Sequence, residues 1–261
     1  MQTKKGGYNV QQSNAYIIRF TLIMTIVVGG VLALANQALR PAQLKSIEYD
    51  TKSQILSAVM EINKESDVLN MYSQRIRSVV VDIQGNEVTT NEKGETVVAE
   101  KVDVARNYKK DYKERLYPVF MYMNESNPDQ IDAFILPVYG SGLWDKIWGF
   151  VAVDKDFESI AGVSFGHKAE TPGLGARIGD KSIQQRYIGK KMFDANGNFV
   201  SIVMLKGESG GGQASIDAFT DRPNEVDGLS GATLTARGVN DMMKKYLDYY
   251  QKYFSKMKNG S

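Results

Sequence analysis

The longest apolar stretch of the chain lies close to its N-terminus. Between Phe20 and Leu39 there is no charged residue, and an arginine stands at each end, Arg19 and Arg40. About 20 residues of α-helix cross a bilayer core of roughly 30 Å. The stretch therefore predicts one transmembrane helix over residues 16–39.

A cleaved signal peptide is the competing interpretation of this segment. Ala33-Leu34-Ala35 has the small-x-small form of a cleavage site after an apolar core. Because the apolar run is long for a signal core, we expect an uncleaved anchor. Basic residues flank both ends of the run, so the positive-inside rule does not decide its orientation.

The remainder of the chain, residues 40–261, has the pattern of one domain of mixed helices and strands. Apolar runs at 132–138, 147–153 and 199–205 predict strands. A fold of the α+β class follows, with one N-terminal transmembrane helix ahead of it. The order of the strands cannot be derived from this pattern.

Helices are predicted before and after these strands. A short amphipathic helix follows Pro41, with Asp50 as a possible cap. Near the C-terminus, apolar and aromatic residues recur at three- and four-residue spacing, which predicts one long amphipathic helix. Its apolar face comprises Val239, Met242, Tyr246, Tyr249 and Tyr253.

Composition excludes several kinds of site. The chain has no cysteine and a single histidine, His167, so disulfides, cysteine-ligated clusters and multi-histidine metal sites are not expected. A net charge of +2 is not typical of a nucleic-acid-binding protein. The glycine-rich motifs that bind dinucleotides or ATP phosphates are also absent. We therefore expect no metal, and any redox centre is predicted to be organic.

The segment Asp227-Gly228-Leu229-Ser230-Gly231-Ala232-Thr233 is the strongest candidate for chemistry. It places a threonine hydroxyl on small-residue backbone directly before the predicted C-terminal helix. The start of a helix offers unpaired N–H groups and the positive end of a dipole, which together favour a phosphate. Taken alone, the segment is more typical of an ordinary helix N-cap.

Two further patches precede this segment. The first is Gly142-Leu143-Trp144, and the second is Glu170-Thr171-Pro172-Gly173-Leu174-Gly175. Considered singly, the tryptophan is typical of core packing and the Pro-Gly pair of a turn. The three patches in this order resemble the covalently flavinylated FMN-binding domains, in particular the C subunits of Na+-translocating NADH:quinone reductases.

The resemblance implies an FMN-binding region over residues of about 130–250. It implies that Thr233 is joined to the FMN phosphate by a phosphoester, and that Asp227 belongs to a motif that a separate flavin transferase reads. Leu143 and Trp144 would lie along the flavin ring, with Thr171 and Leu174 on the opposite loop. The remaining implied cofactor-binding residues are Ser230, Gly231, Ala232, Glu170, Gly173 and Gly175, and His167 is expected on the rim of the pocket.

The function that the resemblance implies is electron carriage without a catalytic acid or base. The covalent FMN would relay electrons within a multisubunit bacterial inner-membrane complex that couples NADH oxidation to quinone reduction and Na+ export. The N-terminus, residues 1–15, would be cytoplasmic and the domain periplasmic. The G subunit of the related Rnf ferredoxin:NAD complex is one alternative, and a membrane-anchored binding module without redox activity is another.

Overall fold

The computed structural model describes residues 13–63, 65–91 and 93–260. The chain divides into two compact units, with the division between Tyr49 and Asp50. Most of the predicted cytoplasmic segment 1–15 lies outside the described residues.

The first element is helix α1, Asn14–Ser57. Among the described residues it is the helix long and apolar enough to cross a membrane. The prediction of a separate short helix after Pro41 is wrong, because Pro41 lies inside α1 and Asp50 is an internal residue of this helix, not its cap. A proline removes one intrahelical hydrogen bond, and here the helix continues on both sides of it.

A five-stranded antiparallel sheet forms the centre of the second unit. Its strands lie side by side in the order in which they occur along the chain. They are β1 Ile76–Val81, β2 Tyr117–Met123, β3 Ile131–Ser141, β4 Lys146–Asp154 and β5 Ile160–His167. The strands predicted at 132–138 and 147–153 are confirmed as β3 and β4.

Two shorter strands form a separate parallel pair, β6 Val203–Lys206 and β7 Glu225–Leu229. Of the run predicted as a strand over 199–205, residues 203–205 belong to a strand, β6. The other helices are α2 Val68–Arg75, α3 Val104–Asn107, α4 Lys181–Gln184, α5 Gly212–Asp217 and α6 Thr233–Asn259. Mixed helices and strands confirm the predicted fold class.

The core lies on both faces of the five-stranded sheet. Side chains alternate across a strand, so Phe134 and Leu136 of β3 pack in the cluster that includes α6, whereas Ile135 packs in the cluster on the other face. Ile55 and Leu56, at the end of α1, belong to this second cluster. The sheet is therefore covered on both faces.

Helix α6 has the buried face that its sequence predicts. Val239, Met242, Tyr246 and Tyr253 are buried and Tyr249 is partly buried. The helix also approaches β3 closely, because a Cβ atom on Gly238 would meet the backbone carbonyl of Ser141. This contact brings the first turns of α6 to the end of β3, where the β3–β4 turn begins.

Candidate functional site

Thr233 is the first residue of α6, and it is exposed. The preceding residue, Ala232, occupies the N-cap position and forms no side-chain capping bond. The N–H of Ala236 donates to the carbonyl of Ala232 over 2.9 Å. The N–H groups before it have no acceptor within a helix of this kind, so the first turn is suited to an anion held beside the Thr233 hydroxyl.

The turn before Thr233 depends on a glycine. Gly231 has a φ of 71°, a left-handed conformation that glycine adopts without steric cost. A Cβ atom there would also crowd the side chain of Leu174. Ser230 on one side is exposed, whereas Ala232 on the other is buried. The backbone therefore turns sharply between the end of β7 and the start of α6.

The structure brings the three predicted patches together through Glu170. Its Oε1 accepts a hydrogen bond from the backbone N–H of Trp144 at 3.0 Å, and its Oε2 accepts one from the Thr235 hydroxyl at 2.5 Å. The indole N–H of Trp144 donates to the hydroxyl of Thr171 at 3.1 Å. The β3–β4 turn, the loop after β5 and the first turn of α6 thus meet at one place.

Large apolar side chains are exposed where these segments meet. The exposed fractions are 68% for Trp144, 46% for Leu143, 41% for Leu174 and 54% for Leu234. We call these four residues the apolar patch. Exposed apolar side chains gathered in one region of a surface are typical of a binding site. Leu234 is a member that no sequence motif singled out.

The glycines at positions 173 and 175 have different structural reasons. Gly173 has a φ of 75° and no atom within 4 Å of a Cβ placed there. Gly175 is buried, and a Cβ on it would meet Glu170 and Thr235. The resemblance counts Gly175 among the cofactor-binding residues. In the structure the space beside its Cα is occupied by these two protein side chains.

Asp227 is enclosed, with 2% of its surface exposed. Its carboxylate accepts hydrogen bonds from the N–H and hydroxyl of Ser209, from the hydroxyl of Ser215 and from the N–H of Gly228. The aspartate therefore fastens the segment around Ser209 and α5 to strand β7. In the folded chain this carboxylate is not on the surface that Thr233 occupies.

A group of charged residues that no sequence motif indicates supports the turn before Thr233. Arg186, with 1% of its side chain exposed, donates to the carbonyls of Asp227 and Gly228 at 3.2 and 2.7 Å. It also donates to Glu208 at 2.7 Å. Arg186 carries no local signal, because its partners are more than 20 residues away in the sequence.

Glu208 is the centre of this charged group. Arg177 binds it through two nitrogens, each at 2.8 Å, and the N–H of Ser230 lies 3.4 Å from its Oε2. The hydrogen bond from Arg177, together with that from Arg186, lowers the pKa of Glu208 to about 2, although burial opposes this shift. The carboxylate is therefore ionised at neutral pH and holds the backbone at Ser230.

Other polar features lie outside this arrangement. His167 ends β5, where it pairs with Ile147, and its Nδ1 is buried without a hydrogen-bond partner among the described residues. In the described part of the chain no three His, Cys, Asp or Glu side chains form a group that could hold a metal ion. A cleft of about 480 Å³ lies beside residues 57–62 and β5, and no predicted cofactor residue lines it.

The residues around Thr233 suit a phosphate-bearing aromatic group. They combine an exposed hydroxyl, an uncapped helix start and the apolar patch. Residues 142–248 match the FMN-binding domain family. This match, together with the fold, places the chain in the class of FMN-binding domain flavoproteins.

Individual relatives narrow this assignment. The chain is 30% identical to the C subunit of the Na(+)-translocating NADH-quinone reductase of Neisseria meningitidis serogroup B, over 93% of this chain and 92% of that protein. It is 29% identical to the C subunit from Haemophilus ducreyi, over 85% of each chain. The chain belongs to the family of Na+-translocating NADH-quinone reductase C subunits.

Solved structures agree with this membership. The crystal structure of the C subunit from Parabacteroides distasonis is similar with a TM-score of 0.67 and 30% identity, over 83% of this chain and 97% of that one. The Shewanella oneidensis NqrC structure, at 24% identity, has a TM-score of 0.64 over 81% of this chain and 98% of that one. The second likeness concerns the fold alone.

Proposed function

We propose that this chain carries FMN joined through its phosphate to the hydroxyl of Thr233. One observation carries the proposal: the hydroxyl is exposed at an uncapped helix start, directly beside the apolar patch. The N–H groups of the first turn and the dipole of α6 stabilise the phosphate. Gly231 leaves room for it, with Ser230 and Ala232 on either side.

The apolar patch provides the bed for the flavin ring. Leu143 and Trp144 lie on the β3–β4 turn, and Leu174 lies on the loop after β5, next to Gly173. The hydroxyl of Thr171 holds the indole of Trp144. FMN bound there supplies the exchange of electrons. An exposed bed suits a carrier, because a neighbouring redox centre can approach the ring closely.

In this proposal the chain is the electron-relaying member of a Na+-translocating NADH:quinone reductase. The relatives named for that enzyme support this role, and the other proteins of the complex are its partners. The chain itself offers no motif for NADH. The apolar segment 20–39 lacks acidic residues, so we expect Na+ to cross in another part of the complex.

We further propose that α1 remains uncleaved as a single-pass anchor in the bacterial inner membrane, over residues 16–39, with the N-terminus in the cytoplasm. The domain from residue 40 onward then lies in the periplasm. Covalent attachment by a flavin transferase suits this compartment, because an FMN lost there has no ready replacement. Asp227 belongs to the motif that the transferase reads.

The proposal is tested by detecting the covalently bound flavin. The full-length chain is produced together with the flavin transferase, and the tryptic peptide that contains residues 224–237 is analysed by mass. We expect an FMN adduct on Thr233, flavin fluorescence on a denaturing gel, and loss of both in Thr233→Ala. Thr220→Ala, which removes an exposed threonine hydroxyl outside this turn, is the matched control and retains the adduct. An unmodified peptide from the parent chain would overturn the proposal.

A further inference from the structure

Three segments form the proposed flavin site, and Glu170 lies in one of them and contacts the other two. Its carboxylate binds the backbone N–H of Trp144 on the β3–β4 turn and the hydroxyl of Thr235 on α6. Thr235 lies in the same helical turn as Thr233. One side chain thus links the residue proposed to lie along the ring with the helix proposed to hold the phosphate.

The space around Glu170 is shaped for this side chain. A Cβ atom on Gly142 or on Gly175 would meet the carboxylate oxygens of Glu170. Neither glycine has a positive φ, so backbone conformation does not require glycine at these positions. The Glu170 carboxylate lies close to both glycines, and at Gly175 the hydroxyl of Thr235 occupies the same space.

The Glu170 side chain is buried and forms its hydrogen bonds with neutral groups. Only 3% of the residue is exposed, and the described residues include no ion pair to it. Burying a carboxylate is costly, although the positive end of α6 offsets part of this cost. Glutamine has nearly the same size but only one acceptor oxygen, so it could not accept hydrogen bonds from both Trp144 and Thr235 as the carboxylate does. The two hydrogen bonds therefore favour a carboxylate at this position.

We propose that Glu170 is a positioning residue that holds Trp144 in place relative to Thr233, and that its buried charge makes the bound flavin harder to reduce. The inference rests on the proposed function. Because Glu170 binds the backbone of Trp144, its charge lies beside the ring bed. A fixed negative charge opposes the addition of electrons nearby, and it does so more strongly where water is excluded.

The charge is tested with Glu170→Gln in the full-length, flavin-loaded chain purified in detergent. In the chain that carries covalent flavin we expect a higher midpoint potential. A tenfold change in the equilibrium of the first electron corresponds to about 59 mV, and we expect a shift of about this size. Glu65→Gln, which alters an exposed carboxylate, is the matched control and leaves the potential unchanged.

The positioning role is tested at Thr235, which also serves if Glu170→Gln does not fold. Thr235→Val removes the hydroxyl that binds Glu170, and Thr235→Ser keeps it. We expect brighter flavin fluorescence in Thr235→Val, because Trp144 quenches the ring less when it is displaced, and parent-like fluorescence in Thr235→Ser.

Two results would overturn the inference: an unchanged potential in a fully flavinylated Glu170→Gln chain, or parent-like fluorescence in Thr235→Val. Absence of covalent flavin from the parent chain is a different outcome. It would refute the proposed function itself.

Discussion

The residues around Thr233 are of two kinds. Some have exposed side chains that a ligand could contact, and others are buried and keep the exposed residues in position. Thr233 and Trp144 are exposed, whereas Glu170 and Asp227 are buried and fully hydrogen-bonded within the chain. The sequence predicts all four as members of one cofactor-binding set. It could not separate them, because exposure depends on which distant segments cover a residue.

The first prediction at this scale concerns acid stability. Because the pKa of Glu208 falls from its usual 4.5 to about 2 in the folded chain, its stabilising effect is complete above pH 4.5 and is lost as the pH falls towards 2. After allowance for screening, the effect is roughly 2 kcal/mol. Glu208→Gln should therefore destabilise the chain at pH 7 and have little effect near pH 2.

Urea unfolding of the detergent-solubilised chain at a series of pH values measures this difference. Glu125→Gln is the control, because it alters a carboxylate with 86% exposure that pairs with Arg75. An equal loss of stability at pH 7 and pH 2 in Glu208→Gln would contradict the role given to its ionised form.

The second prediction concerns Gly228. A Cβ atom there would collide with the backbone carbonyls of Leu205 and Gly207, which cannot yield as a flexible side chain can. Gly228→Ala should cost about 2–3 kcal/mol of unfolding free energy and loosen the pairing of β6 with β7. Gly210→Ala, whose Cβ would make an ordinary contact with Ala214, should change stability much less in the same urea titration.

At the scale of elements, the position of Thr233 depends on how α6 packs. The buried face of this helix lies against the sheet, and its polar face carries exposed lysines such as Lys244 and Lys245. The spacing of apolar residues was sufficient to predict this helix. Strand β5 was not predicted, because Ile160–His167 contains two glycines, a serine and a histidine that weaken the apolar pattern.

The third prediction tests the packing of α6. Leu247 is fully buried, and Leu→Ala substitutions in cores cost about 2–5 kcal/mol. Leu247→Ala should lower the unfolding free energy by about 3 kcal/mol, whereas Lys244→Ala on the exposed face should have a small effect. Chemical denaturation followed by tryptophan fluorescence provides the measurement. Equal effects of the two substitutions would mean that this face does not stabilise the domain.

At the scale of the whole molecule, the chain divides into two compact units between Tyr49 and Asp50. Helix α1 is continuous beyond the apolar segment and ends at Ser57, so the division into units falls inside the helix. The sequence predicted the apolar span from the absence of charge. It did not predict the continuation, because Pro41 is an ordinary stop signal for a helix.

The fourth prediction concerns the membrane anchor. Each lysine near the centre of a spanning helix costs about 2.5–3.5 kcal/mol on insertion. Ile26→Lys together with Val27→Lys should move the chain from the carbonate-resistant membrane fraction to the extract. Lysines at Ala42 and Gln43, beyond the apolar segment, are the matched control and should leave the chain in the membrane. Unaltered membrane retention of the first variant would contradict an anchor at residues 16–39.

The sequence by itself determined the features that depend on neighbouring residues. These are the apolar span, the amphipathic pattern of α6, strands β3 and β4, and the small-residue turn that places Thr233 at a helix start. Tertiary structure alone decided that Glu170 joins three segments, that Asp227 is enclosed and that Arg186 and Glu208 support the turn. The physical reason is range: periodicity and turn chemistry act over a few residues, whereas burial and hydrogen bonding join positions tens of residues apart.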